Sequence, residues 1–479
     1  GLEGLPPVPE GCSFEEYLNS TRSGADIFAR DQSRWQAQHG DLFRVAGAPP
    51  GAEYILVSSG AVARAVLTKQ NRMYREGHAF SRVRNLARAG LEAMGPGLTS
   101  LVGEEWRWRK EALSPNFSRR ALAEPERHVL KFLVSLAEEL RATLGAAADT
   151  GTSVRMDDLF TEKALRVVMF VLFGKELDFD PWEFVGAYKK IMDYVTFSLV
   201  TPPHIRSEPR PDFERRRQEL AEAWQTFDAV MLPELHRVRA ELSGSGPAAT
   251  DRGRCSVVAH MLGGPWAELE DQAVLGECRV MLNAGFETTA HALAFACGLF
   301  AEFPTVAAAV AAEAHQAHSE ASWLGFSEEG LQDLLQGLCA GSFLESLRLF
   351  PLAASLGGEA VRSFELEGYR IPEGARINFM NCAIHSHPGE VGADASAFKP
   401  ERWCEGAGRQ APTLMSFNLG SHSCLGQQLA RMEGAVFLGT VARDFCLRFP
   451  ADGPQAVRMQ PRPFLQKPLD GMPLLVEWR

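Results

Sequence analysis

The ten residues from Phe417 to Gly426, Phe-Asn-Leu-Gly-Ser-His-Ser-Cys-Leu-Gly, frame one cysteine with two glycines, an aromatic ring and an imidazole. A cysteine binds a metal ion only as the thiolate, and its pKa falls beside positive charge or beside backbone N–H groups at a helix start. Cys424 stands just before such a start. Leu429, Met432, Val436 and Phe437 lay one apolar stripe along a helix expected over Gln427 to Phe437. Gly420 and Gly426 permit a tight backbone and the close approach of a flat cofactor, Phe417 can pack against the cysteine side, and His422 can donate to an anionic group. A lone buried cysteine is more often a small hydrophobe. Here the neighbours argue for a ligand.

A second set lies in a proline-free window between Pro265 and Pro304, at Ala284-Gly285-Phe286-Glu287-Thr288-Thr289. On a helix Ala284, Gly285 and Thr288 share a face, so two small residues leave a groove beside a hydroxyl, with the carboxyl of Glu287 next to it. The plainer alternative is that Gly285 lets another helix pack closely and Thr288 bonds back to the carbonyl four residues earlier. Glu345 and Arg348 stand three apart on a helical run expected over Gly341 to Phe350, and Phe398-Lys399-Pro400-Glu401-Arg402-Trp403 follows later. These charges are either exposed ion pairs of little energetic weight or a paired, fully hydrogen-bonded group in the core. Trp106 and Lys110, four apart, share a face of the helix that precedes Pro115 and Phe117.

The elements that must position these residues are mostly helical. Helical patterns run over Glu124 to Leu144, Glu214 to Leu242 with a kink expected at Pro233, and Glu268 to Phe303. Segments rich in Gly, Pro and Ser, such as Ser243 to Gly253, separate them. Strand-like runs occur at Leu42 to Val45, at Tyr54 to Val57 and within Phe364 to Asn378, where Gly368 and Pro372-Glu373-Gly374 punctuate hairpins. The expected class is a mostly α fold with small β-sheets. No glycine-rich dinucleotide fingerprint or phosphate loop opens a helix, which argues against a fused flavin or nicotinamide module.

The chain has 479 residues, 46% of them hydrophobic and 23% charged, an ordinary globular composition without internal repeats. A net charge of −11 argues against general nucleic-acid binding. Against that background the cluster Arg107, Arg109, Lys110, Arg119 and Arg120 stands out, either as a solvated face or as a docking patch. Nine scattered cysteines with no Cys-x-x-Cys pair suggest neither a disulfide framework nor structural zinc. The pairs His315/His318 and His385/His387 read as surface or loop histidines. No run reaches the ~18 apolar residues of a membrane span; the longest candidate is Val167 to Phe173.

The Phe417–Gly426 stretch resembles the haem-binding loop of the cytochrome P450 family, which has Phe, two residues, Gly, a basic residue two before Cys, and Gly two after. Four further signatures of that family follow in order between Trp106 and Trp403, so the likeness covers most of the chain. The resemblance implies one P450 domain over residues 1–479, with haem b between a long distal helix and the cysteine-loop helix. It implies that Cys424 is the axial ligand of the haem iron, that Thr288 and Glu287 deliver protons to bound dioxygen, and that Ala284 and Gly285 shape the groove for it. Trp106, Lys110 and His422 would hold the haem propionates, with Phe417, Gly420 and Gly426 completing the cofactor loop. Glu345, Arg348 and Arg402 would form a buried structural triad. Two positions depart from the family pattern: Lys110 stands where arginine is common and loses its bidentate fork, and Gly358 stands where a basic residue usually meets a propionate, with Arg362 as a substitute only if the strand register shifts.

The activity implied is insertion of one oxygen atom from O2 into a hydrophobic molecule such as a lipid, sterol or terpenoid. Electrons would come from a separate flavoprotein reductase or ferredoxin docking near Arg107, Arg109 and Lys110. The substrate pocket would draw on Ala79 to Leu98, Met281 to Glu287, Leu352 to Leu356 and Phe464 to Leu469. Alternatives are an isomerase, a dehydratase or a haem-binding sensor or accessory subunit of the same fold; a cysteine hydrolase lacks a recognisable base and oxyanion donors. The proline-rich opening, within residues 1–25, is similar to the hinge after a membrane anchor. Gly420-Ser421-His422 and Leu429-Ala430-Arg431 are more similar to soluble members. The expectation is an intracellular protein for which association with the endoplasmic reticulum or an organelle, through a segment that would have been removed, is favoured over a soluble cytoplasmic location.

Overall fold

The long apolar stripes fold as helices that bury those stripes against one another, and the cysteine loop is held at their centre. The structure is a computed structural model describing residues 4–479 apart from 9–12, 24, 48–52, 70–79, 82–83, 124–127, 202, 207, 245–255, 265, 319–332, 405–410 and 461–464. Helices of ten residues or more are α1 (Phe14–Ser23), α2 (Ala25–His39), α3 (Arg84–Met94), α4 (Gly103–Leu113), α5 (Val129–Thr150), α6 (Met156–Phe173), α7 (Pro181–Val200), α8 (Pro211–Leu242), α9 (Asp271–Gly285), α10 (Glu287–Glu302), α11 (Pro304–Ala317), α12 (Leu338–Leu349) and α13 (Gln427–Asp444).

The strands are short: β1 (Leu42–Arg44), β2 (Tyr54–Val57), β3 (Phe80–Ser81), β4 (Val154–Arg155), β5 (Ser355–Ala360), β6 (Phe364–Leu366), β7 (Tyr369–Ile371), β8 (Arg376–Met380), β9 (Phe445–Arg448), β10 (Met459–Gln460), β11 (Lys467–Pro468) and β12 (Pro473–Trp478). One five-stranded sheet has the order β1-β2-β8-β5-β3, and a three-stranded sheet the order β4-β12-β9. β2 and β8 run parallel with Ile55 opposite Ile377, while β5 runs antiparallel to β8 with Gly358 opposite Ile377. The hairpin β6–β7 turns at Glu367 and Gly368, both at positive φ, as a tight two-residue turn demands.

Helix α10 is buried from Thr289 to Phe300, which explains why its sequence is apolar all round. α6 is buried throughout Val167 to Phe173 and ends where Gly174 takes a left-handed conformation at φ 74°. α13 lies close on α12 because Gly434 lacks a side chain; a Cβ there would come within 2.6 Å of the Phe343 ring. That contact fixes the helix whose first turn follows Cys424.

Several expectations need correction. The helix expected over Glu268 to Phe303 is two helices, because Phe286 (φ −95°, ψ −54°) interrupts the ladder between α9 and α10. α8 begins at Pro211 rather than Glu214, with Pro233 inside it. The helix placed at Gly341 to Phe350 begins at Leu338, and the one placed at Gln427 to Phe437 extends to Asp444. Leu352 to Leu356 is not wholly a turn, since β5 already starts at Ser355. α5 begins at Val129, and Glu124, Ala79 and Phe464 lie outside the described residues, as does most of Ser243 to Gly253. The opening prolines lie against β1: Arg44 donates through N to Pro7 O and through Nε to Pro6 O, each at 2.8 Å. No single described helix is long and apolar enough to cross a membrane.

Candidate functional site

A cavity of about 880 Å³, part of it open to solvent, lies between the cysteine loop and the end of α9. That volume falls in the range of cofactor and small-molecule sites. The loop closes on itself: the Cys424 amide donates to Phe417 O at 2.7 Å and the Ser423 amide to Gly420 O at 3.1 Å. Phe417 is buried beneath it. Cys424 is exposed, and it faces the cavity. Burial among the cavity walls pushes its thiol pKa up, while the N–H groups of Gly426 and Gln427 and the charge of Lys110 pull it down. The first turn of α13 therefore aims donors at the sulfur, and a bound cation would complete the thiolate.

Lys110 and Trp106 rise from α4 into the same cavity, and His422 meets them from the loop. Lys110 Nζ donates to Ser423 O at 2.6 Å, which ties α4 to the residue beside the ligand. The Trp106 indole stacks on His422 with ring centroids 4.0 Å apart. A cation, an indole and an imidazole on one rim suit the anionic edge of a planar cofactor. A Cβ on Gly426 would meet nothing within 4 Å, so the loop leaves open space beside the sulfur. Among the described residues no three His, Cys, Asp or Glu side chains gather as a metal site. The site thus offers a single cysteine sulfur in a cavity rimmed by a cation, an indole and an imidazole, which fits haem.

Gly420 does not line the cavity. Its φ is +67° and its Cα lies against the Leu67 carbonyl, so the glycine serves backbone packing rather than the cofactor. Gly358 sits in β5 in the register expected, and Arg362 lies beyond the strand end and outside the cavity lining.

From the other side, Ala284 and Gly285 line the cavity, Ala284 exposed to it in the middle of the molecule. Gly285 also packs: a Cβ would come 2.6 Å from Val168 Cγ2 on α6. Thr288 is close by, but its Oγ1 donates to Ala284 O at 2.8 Å, and Thr289 does the same to Gly285 O at 3.1 Å. The plainer reading of both residues is thus realised, in a position next to the cavity. Glu287 accepts a hydrogen bond from Tyr188 of α7 and lies 3.8 Å from His291 Nε2.

The triad is assembled. Arg348 is bidentate on Glu345 at 2.8 Å twice, and Arg402 Nε reaches Glu345 Oε1 at 3.3 Å. Trp403 Nε1 and the Lys399 amide also donate to Glu345, so a carboxylate with no exposed surface is saturated. Arg348 Nη1 spans to His385 O and Ala395 O. His385 is no surface histidine. It is buried, burial and the Arg348 charge push its pKa down to about 3, and its Nε2 accepts the Met415 amide at 2.8 Å.

Arg109 cannot serve in a docking patch. It is 3% exposed, its Nη2 bonds Glu105 at 3.0 Å, its Nη1 lies 3.6 Å from the buried Glu277, and its guanidinium covers the Trp266 ring. Arg107 pairs with Glu104 on the surface of α4. Sequence reasoning missed Val168, Val171 and Leu172 of α6 in the cavity wall, since an all-buried helix gives no sign of which residues meet a cavity.

The sequence pattern of the cytochrome P450 family matches residues 6–474. Similar proteins include cyclooctat-9-en-7-ol 5-monooxygenase of Streptomyces melanosporofaciens, 27% identical over 86% of this chain and 83% of that one. A cytokinin hydroxylase of Arabidopsis thaliana is 25% identical over 74% of this chain and 67% of its own length. Among solved structures, a cytochrome P450DA heme domain superposes with a TM-score of 0.76 at 20% identity, over 100% of this chain and 98% of that one. A family match of this extent, on a fold and a cysteine loop of this geometry, makes the chain a member of the cytochrome P450 family, a haem-thiolate oxidoreductase.

Proposed function

We propose that the protein is a monooxygenase that binds haem b through Cys424 and inserts one oxygen atom from O2 into an apolar substrate, with electrons from a separate donor protein. The observation that carries this reading is the placement of Cys424, Trp106, Lys110 and His422 on one side of a single cavity whose other side is Ala284 and Gly285. When bound, a thiolate-ligated haem supplies activation of dioxygen. The chain's own residues do the rest. Trp106, Lys110 and His422 orient the propionate edge, and the bare Ala284 leaves room for a small molecule. Thr288 turns its hydroxyl from the Ala284 carbonyl to that molecule, and Glu287 passes it a proton.

The wall of Leu98, Val171, Leu172, Val280 and Met281 favours a hydrocarbon-rich substrate such as a lipid, sterol or terpenoid, and the likeness to cyclooctat-9-en-7-ol 5-monooxygenase supports that reading. The electron donor docks on the face of α4 and the start of α13, at Arg107 and beside the groove of Arg119, Gln428 and Arg431. An acidic surface on the donor would match it. Membrane association is part of the proposal on the proline-rich opening alone, and co-sedimentation with phospholipid vesicles tests it. The decisive experiment is the absorption spectrum of the reduced, haem-loaded protein with carbon monoxide. A strongly red-shifted Soret band is expected; a band typical of histidine ligation, or no haem uptake, overturns the reading.

A further inference from the structure

Glu287 belongs to a larger buried group of titratable side chains. One turn along α10, His291 is 2% exposed, and its Nε2 lies 3.4 Å from Asp157 Oδ1 at the start of α6 and 3.8 Å from Glu287 Oε1. Its Nδ1 lies 3.2 Å from the carbonyl oxygen of Gln466. A carbonyl only accepts, so Nδ1 carries the proton, and Nε2 of the neutral ring is the accepting nitrogen between two carboxyl groups. Asp157 Oδ1 is buried without a hydrogen bond of good geometry among the described residues, and Asp157 keeps a thin exposed edge.

Two carboxyl oxygens and one ring nitrogen face one another in a buried place, so a proton must sit among them, on Nε2 or on a carboxyl oxygen. The groups around Asp157 are Asp158 on its own helix, Arg155 in β4, Glu287 and His291 on α10, and Lys467 in β11, while Tyr188 of α7 holds the far oxygen of Glu287. Burial, with the charges of Asp158 and Glu287, outweighs Lys467 and Arg155 and pushes the Asp157 carboxyl up to about 7.

We propose that Asp157 and His291 form a proton relay that reloads the Glu287 carboxyl from solvent. The proposal rests on the reading of Glu287 as the proton-delivering acid. In the first transfer the O–H bond of Asp157 breaks as an N–H bond forms at His291 Nε2. The doubly protonated ring, still tethered to Gln466 O, then gives that proton to Glu287 Oε1. Asp157, left as a carboxylate, is reprotonated by water at its exposed edge. One proton enters from solvent and one arrives at Glu287, with no change in electron count. Asp157 and His291 are positioning and relay groups that touch neither cofactor nor substrate.

The test uses the full chain in two measurements. In infrared titration of the haem-free protein, the difference between wild type and Asp157→Asn should contain a protonated-carboxyl band with a midpoint near pH 7. Absence of that band overturns the relay. In the haem-loaded protein with a surrogate reductase, Asp157→Asn and His291→Gln should each slow oxygen consumption by about tenfold and enlarge its solvent-deuterium effect, with Asp157→Glu recovering most of the rate. The red-shifted carbonyl band should be unchanged in all three. If Glu287→Gln slows the reaction while Asp157→Asn and His291→Gln leave rate and isotope effect at wild-type values, the relay is overturned and the role of Glu287 survives. If Glu287→Gln is also without effect, both fall.

Discussion

His422 lies almost flat on Trp106, ring centroids 4.0 Å apart and planes inclined by 25°, so the loop that presents Cys424 is clamped to helix α4 by an aromatic pair. Lys110, one turn after Trp106, adds a second clamp through the Ser423 carbonyl. An aromatic pair of this kind contributes about 1 kcal/mol, so His422→Ala should speed haem loss roughly fivefold. Lys110→Met removes a charged donor as well and should speed it about tenfold or more. Haem transfer to an apo-globin acceptor measures both; equal loss rates in wild type and Lys110→Met would remove Lys110 from the cofactor's supports.

Thr288→Ala should lower stability by no more than about 1 kcal/mol, because the hydroxyl makes one bond, back across the Phe286 break to Ala284 O at the end of α9. Its expected effect is on chemistry: reduced nicotinamide is consumed, and hydrogen peroxide replaces product. Peroxide released per nicotinamide oxidised is the quantity to follow, and a ratio equal to wild type would end the proton-delivery reading of this residue.

Gly285 tests packing at the break between α9 and α10. Alanine gains about 1 kcal/mol of helix propensity over glycine, but here its Cβ would press within 2.6 Å of Val168 Cγ2. Overpacking costs about 1–3 kcal/mol, so Gly285→Ala should be net destabilising. Combining it with Val168→Ala should recover part of the loss, and a double-mutant cycle in denaturant reads the coupling.

Glu345→Gln leaves the guanidinium groups of Arg348 and Arg402 without their shared carboxylate. Breaking a buried pair this way costs about 3–5 kcal/mol. The expected outcome is a protein that is largely insoluble or does not take up haem, whereas Arg107→Gln on the surface of α4 should fold normally. Yield of soluble, haem-loaded protein compares them.

Burial pushes the Glu277 carboxyl up to about 7, ahead of the opposing influence of the Leu98 amide and Arg109. A carboxyl with a folded pKa above its unfolded value holds its proton in the folded state when the unfolded chain has lost it. Its contribution to stability is therefore full below the unfolded pKa and is lost as pH rises through about 7. Glu277→Gln should flatten the fall in stability between about pH 4.5 and 7, by something on the order of 1–3 kcal/mol. Denaturant midpoints at several pH values decide this, and parallel curves for the two proteins would contradict it.

What the sequence determined by itself is local. The cysteine loop, the donors at the start of α13, the Glu345–Arg348 pair and the Trp106–Lys110 pair each lie within a few residues, so helix period and loop chemistry place them without knowledge of the rest. The mostly helical class was legible for the same reason, since apolar periodicity marks each helix on its own. Tertiary structure decided where partners come from distant parts of the chain. Arg109 has the sequence neighbours of a surface cation, yet Glu277 and Trp266 draw it inside. Gly420 stands in a cofactor motif, yet its lack of a side chain answers the Leu67 carbonyl. The break at Phe286, the α6 wall of the cavity, and the Tyr188 and Asp157 neighbours of Glu287 depend on close packing between helices far apart in sequence. Periodicity says which face of a helix is buried; only packing says against what, and that choice sets the charge, the proton and the space at the site.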